Sequence, residues 1–226
     1  MEALSRLSSG LGKRIVSAVI LGPLTLGVIL WGGWPFIAFM AGAFLLSLKE
    51  WHGMVARASR PLLHILCGTA YIALCFMSFC ALRLVFPEGA IWALGLIVAV
   101  WASDSGAYFF GKVIGGPKFA PAISPQKTWA GFSGSVLCGG AGLYLFFLLF
   151  YEGDADAAAF IPFFAAGMVL GAVGQAGDLL ESFFKRRSGM KDSGNLIPGH
   201  GGMLDRIDSL LLASPAFLGM AWWWLR

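Results

Sequence analysis

Seven apolar runs, separated by short loops, follow one another along the 226 residues at positions 15–31, 36–48, 62–82, 90–110, 130–150, 157–176 and 210–225. A bilayer core asks for about 20 apolar residues per helix, so each run is a candidate crossing. The composition agrees, with 58% hydrophobic residues against roughly 45–50% in soluble domains. The chain is therefore expected to be an all-α polytopic membrane protein with about seven transmembrane helices. Two of the runs are short, so counts of six to eight fit the lengths.

Charge orders these runs across the membrane. With the N-terminus in the cytoplasm and seven crossings, all of the 16 Lys and Arg residues except Arg83 and Arg226 fall on the cytoplasmic side. That is the positive-inside pattern, and removing any one span destroys it. The same alternation puts the acidic loop Glu152, Asp154, Asp156 outside and Trp222-Trp223-Trp224 in an outer aromatic belt. The net charge of +4 then belongs to cytoplasmic loops and not to a nucleic-acid surface. Cys67, Cys75, Cys80 and Cys138 lie in apolar runs without zinc-site spacing and read as small buried side chains. The run after Lys13-Arg14 is expected to stay in place as a first span, not to be cleaved as a signal peptide. No soluble domain remains. One membrane domain is expected, with N-terminal helices in 1–99 and a catalytic region in 100–226 whose motif loops are 111–129 and 178–209.

Only 12% of the residues are charged, yet the 32 positions 178–209 hold five carboxylates, five cations and a histidine. Ionisable groups at a membrane edge are costly and mark a functional site. Asp205 and Asp208 are spaced i, i+3, so a helix opening at Asp205 would put both on one face near its positive dipole end. Asp178 and Glu181 repeat the spacing, with Ser182 and Lys185 a turn further on. Carboxylates with hydroxyls and water suit Mg²⁺, which takes a few carboxylates plus substrate phosphates. Plainer readings exist: Asp205 and Asp208 as first-turn caps, and Glu181–Lys185 as a surface pair. Capping does not call for so many carboxylates. Lys185, Arg186, Arg187 and Lys191 suit phosphates, and equally anionic headgroups. The glycine-rich run Gly194 to Gly202 can turn its N–H groups toward an anion. His200, between Gly199 and Gly201, can hold phosphate or serve as an acid.

A second polar stretch falls on the same side. Asp104, with Ser103 and Ser105, interrupts the fourth apolar run and must find partners or line a wet cavity. Lys112, Lys118 and Lys127, with Ser124 and Thr128, add a further phosphate-friendly surface.

The segment Ser182 to Asp208, with Lys185-Arg186, Lys191-Asp192, Gly194, Pro198, His200-Gly201-Gly202 and Asp205-Arg206-Ile207-Asp208, resembles the signature of the phosphatidate cytidylyltransferases, the CDP-diacylglycerol synthases. Ser103-Asp104 with Ala107-Tyr108, and Ile123-Ser124-Pro125 with Lys127-Thr128, resemble that family's upstream segment. There Gln126 stands where lysine is common and Trp129-Ala130 where an acidic residue follows. The resemblance covers about residues 100–210. It implies transfer of the cytidylyl group of CTP to phosphatidic acid, giving CDP-diacylglycerol and pyrophosphate in phospholipid biosynthesis, with Mg²⁺ and a monovalent cation such as K⁺ beside it. Asp178, Asp205 and Asp208 would form the metal centre, and Lys185 and His200 would join them in catalysis. Ser182, Arg186, Lys191, Asp192, Gly201, Gly202 and Arg206 would bind substrate, together with Asp104, Ser124, Lys127 and Thr128. The resemblance further implies a bacterial inner membrane with the active site facing the cytoplasm, contact with membrane lipid, and a homodimer. The family tends to be longer at its N-terminus, so a compact version with fewer leading spans is expected.

Two other readings compete. A CTP-dependent polyprenol or lipid kinase would use similar loops but release CDP instead of pyrophosphate. A cation transporter would place its carboxylates near mid-membrane, without a basic Gly-His-Gly-Gly loop.

Overall fold

Helix boundaries follow the glycines and prolines more closely than they follow hydropathy. In the computed structural model, which describes residues 2–56, 58, 60–150 and 161–224, the elements are α1 (Glu2–Trp31), α2 (Gly33–Val55), α3 (Pro61–Leu84), α4 (Gly89–Val113), β1 (Lys118–Ala120), β2 (Ser124–Thr128), α5 (Trp129–Phe150), α6 (Ile161–Arg187) and α7 (Leu204–Trp224). Gly32 and Gly33 have φ of 72° and 53°, a positive-φ corner that leaves one residue between α1 and α2. Pro61 opens α3, where its missing N–H costs nothing.

Four helices, α3 to α6, are long and apolar enough to cross a membrane, and Ile15–Trp31 within α1 is a shorter apolar stretch. The protein is an all-α integral membrane protein with a minimal sheet. The acidic loop Glu152, Asp154, Asp156 lies outside the described residues, as do Arg57 and Arg226. Trp222 and Trp223 are exposed. Trp224 packs instead on Phe163 and Trp92, at ring distances of 4.6 and 6.2 Å.

The helices overrun the apolar runs in places. α6 continues eleven residues past position 176, because Leu, Glu, Lys and Arg from 179 onward are good helix formers whatever they face. Residues 2–14 join the first span in one helix. The loop 111–129 contains a hairpin: β1 and β2 pair antiparallel, Lys118 opposite Thr128 and Ala120 opposite Ser124.

The chain divides into two units. One comprises Met1–Ala73 and Phe184–Ile207, the other Leu74–Phe183 and Asp208–Arg226. In the second, α4, α5, α6 and α7 approach through glycines with backbone against backbone. A Cβ on Gly134 would lie 2.7 Å from the Gly106 carbonyl oxygen, and one on Gly139 would lie 2.7 Å from that of Gly167. Small residues at such crossings let helices pack closely in lipid. The approach sets the site: Gly106 lies two residues after Asp104, and Gly177, directly before Asp178, would bring a Cβ 2.7 Å from the Asp208 carbonyl oxygen. Gly134→Ala should therefore cost about 1–3 kcal/mol by overpacking. A clear fall in the melting midpoint of the detergent-solubilised protein checks this; an unchanged midpoint means the helices can part freely there.

The first unit packs around the end of α2. Trp51 donates its indole N–H to the His64 carbonyl at 3.0 Å and meets Phe184 edge-on at 4.9 Å. A Cβ on Gly68 would collide with the Trp51 ring, so α3 lies flush against it.

Candidate active site

In the second unit, four helices and the hairpin converge on one cavity of 520 Å³, within the usual size of small-molecule sites. α4 supplies Asp104, α6 supplies Gln175 and Asp178, α7 supplies Asp208 and Ser209, and β2 supplies Ser124, Lys127 and Thr128. Lys112 and Tyr108 form part of its wall, the ammonium 3.2 Å from the phenol oxygen and 5.4 Å from the ring centre. Phe119 and Phe132 also line it, stacked at 4.9 Å.

The hairpin positions Lys127. The Trp129 N–H bonds to the Pro117 carbonyl, closing the hairpin, and Thr128 Oγ1 accepts the Gly131 N–H at 3.1 Å, capping α5. Between these anchors the Lys127 ammonium lies 2.7 Å from Asp178 Oδ2 and 2.9 Å from Gln175 Oε1. Gln175 reaches Asp104 Oδ1 through its Nε2 at 3.5 Å, and Ser209 Oγ approaches the same oxygen at 3.4 Å. Ser182 Oγ donates to Asp178 Oδ1 at 3.1 Å.

Three carboxylates thus face one cavity with two lysines among its lining residues. Like charges held together disfavour joint ionisation, and a cation relieves that. Asp104 Oδ2 and Asp208 Oδ2 accept no hydrogen bond among the described residues, leaving oxygen toward a ligand. No three His, Cys, Asp or Glu side chains among the described residues are close enough to cage a metal by themselves. Mg²⁺ does not need a cage: it is held by one or two carboxylates, waters and substrate phosphates. Asp178, Asp208 and Asp104 fit that pattern in donor type.

The first unit holds the other half of the motif, and its internal anions take most of the available donors. Asp205 Oδ1 accepts the Lys185 ammonium at 2.7 Å. Asp205 Oδ2 accepts the N–H groups of Ser193 and Gly202, each at 2.8 Å, and lies 3.0 Å from Ser193 Oγ. Asp205 precedes the apolar run that begins at Leu210. Burial alone would raise its pKa, but the Lys185 hydrogen bond and charge with the two amides outweigh it and hold the carboxyl below the usual range. Glu50 of α2 accepts Ser193 Oγ at 2.8 Å, the Met203 N–H at 2.8 Å and the Leu204 N–H at 2.9 Å. Within the glycine-rich run the Gly202 N–H turns toward an anion, the Asp205 carboxylate, and the flanking Ser193, Met203 and Leu204 N–H groups go to Asp205 and Glu50. Lys185 is likewise buried against Asp205. Arg186, Lys191, Asp192 and Arg206 are exposed, and His200 sits half-buried in a turn in which its N–H bonds to the Ile197 carbonyl.

Glu50 and Gln175 were not among the sequence candidates. Gln175, a polar side chain inside an apolar run, carried a usable signal. Glu50 did not, since a lone acid beside Lys49 at a span's end looks like any helix terminus.

A membrane-embedded helical fold that brings carboxylates, lysines and hydroxyls to one cavity has the donor set of a phosphate-handling membrane enzyme. The chain belongs to the cytidylyltransferase family, whose profile it matches over residues 12–88 and 62–223. Among similar proteins, one from Rickettsia bellii named phosphatidate cytidylyltransferase is 36% identical over 212 residues, 92% of this chain and 89% of that protein. One of the same name from Brucella suis is 34% identical, covering 91% of each. One from Staphylococcus aureus is 41% identical over 150 residues, 66% of this chain and 55% of that protein.

Proposed function

We propose that the protein transfers the cytidylyl group of CTP to phosphatidic acid in the bacterial cytoplasmic membrane, with its active site facing the cytoplasm. A phosphate oxygen of the lipid bonds to the α-phosphorus, the bond from that phosphorus to the β-phosphate bridging oxygen breaks, and pyrophosphate leaves with the electron pair. The attacking phosphate is already ionised at neutral pH, so no strong base is required of the chain. The observation that carries this reading is the cavity of Asp104, Asp178, Asp208, Lys127 and Lys112, in a chain of this family.

Two polyanions must meet, so the work is positioning and charge neutralisation. Asp178 and Asp208, with Asp104 beside them, would hold Mg²⁺, which would supply positive charge against the phosphates. A monovalent cation such as K⁺ belongs to the same proposal. Lys127 approaches nucleotide phosphate from the hairpin, and Ser124 and Thr128 add hydroxyls. The resemblance adds Lys191, Arg186, Arg206 and His200 as donors for phosphate oxygens. The resemblance assigns Asp205 to the metal as well; there a metal would compete with Lys185 and two amides for its oxygens.

Purified protein supplied with CTP, phosphatidate and Mg²⁺ is expected to form CDP-diacylglycerol and pyrophosphate in equal amounts. Release of CDP with a phosphorylated lipid would replace the reading with a lipid kinase, and no turnover would remove it. Lys127→Ala should raise the KM for CTP roughly tenfold, the scale of one charge-assisted phosphate contact. An unchanged KM takes Lys127 off the nucleotide.

A further inference from the structure

We infer that Glu50 is a positioning residue of the transferase, fastening the segment 193–204 to α2. This rests on the transferase reading above. The first N–H groups of a helix have no partner within it, and a nearby Ser, Thr, Asp or Asn usually accepts one of them. At the start of α7, Asp205 takes the Gly202 N–H. The N–H groups of Met203 and Leu204 go to Glu50, 153 and 154 positions earlier in the chain. A third bond, from Ser193 Oγ, ties the other end of the segment to the same carboxylate.

The glycines confirm what the segment is shaped around. A Cβ on Gly194 would lie 2.9 Å from Glu50 Oε1, and one on Gly202 would collide with Glu50 Oε2 and Ser193 Oγ. Gly201 has φ of +81° and would bring its Cβ 2.6 Å from Asp205 Oδ2. Within this segment these three glycines give room to two carboxylates, Glu50 and Asp205. Held at both ends, the segment presents His200, and it is flanked by the exposed Lys191 and Arg206. Glu50 itself touches no reacting atom and acts through these three groups.

Glu50→Gln keeps the side chain's size, removes its charge and puts an NH₂ group against N–H donors. Glu50→Asp keeps the charge with a shorter reach. In full-length protein, Gln is expected to lower kcat roughly tenfold with little change in the KM for CTP, and Asp to recover a substantial part of it. Hydrogen exchange should quicken at Met203 and Leu204 in the Gln variant and stay unchanged in α4 and α5. Wild-type kcat despite faster exchange would overturn the inference. So would unaltered exchange, or a kcat loss that Asp does not recover while the melting midpoint falls in parallel. The exchange result does not depend on turnover, and an inactive wild-type enzyme would instead refute the transferase reading.

Discussion

Asp208→Asn lowers turnover on the order of 10²–10³-fold and leaves the protein folded, with a melting midpoint equal to or above that of the wild type. The two effects have one origin. Asp104, Asp178 and Asp208 face the same cavity, and an ion pair joins Asp178 to Lys127. Without a cation the three repel one another, so replacing one by an isosteric amide relieves strain in the resting protein. With substrates present the same carboxylate holds positive charge against the phosphates, and the amide cannot. Stability and activity move in opposite directions, as they do where a site is built against the fold's preference. Two measurements check it: turnover across a Mg²⁺ titration, where higher metal should recover only part of the loss, and a thermal melt. Near-normal turnover removes Asp208 from the metal site. A large loss of stability would mean that Asp208 holds the fold together instead.

How far the sequence reaches can be followed along α6. Its apolar run ends at position 176, and hydropathy stops there, yet the helix runs on to Arg187. Hydropathy reports what a helix faces and says nothing of where the backbone stops being helical. The i, i+3 spacing put Asp205 and Asp208 on one face on the condition that Asp205 opens a helix, and α7 begins at Leu204. The hairpin was not legible: β1 and β2 are three and five residues long, and β2 contains Pro125, which argues against a strand.

Charge density within an apolar chain marked Asp104, Lys127, Asp178 and Asp208, because ionisable groups in such surroundings need a reason. It could not tell a ligand-facing carboxylate from one that holds backbone. Asp205 and Asp208 lie three residues apart and look alike in sequence. In the structure, Asp205 accepts bonds on both oxygens from Lys185, Ser193 and Gly202, whereas among the described residues Asp208 Oδ1 takes only the neighbouring Ser209 N–H. Glu50, which takes the Ser193, Met203 and Leu204 donors, comes from a helix distant in sequence, and spacing within the motif cannot reveal it.

Lys185→Met should destabilise the protein by about 3 kcal/mol, at the low end of the ~3–5 kcal/mol for breaking a buried pair. The Lys185 ammonium and Asp205 Oδ1 are 2.7 Å apart, and the two side chains are 9% and 6% exposed. Methionine fills the volume of the lysine stem but leaves the Oδ1 side of a buried carboxylate without its cation. The loss stays at the low end because the Ser193 and Gly202 amides still reach Oδ2. For a chain of this size the midpoint should fall by roughly 6–12 °C, measurable in detergent or bicelles. The result also decides between two roles for Lys185. A lysine whose only task is to meet substrate phosphate would, on truncation, raise the KM for CTP and leave the melt unchanged. A lysine that neutralises Asp205 lowers the melt first, and turnover falls because the segment from Ser193 to Leu204 loses its anchor. An unchanged midpoint with a raised KM would return Lys185 to the substrate, and Asp205 would then be free to serve a metal.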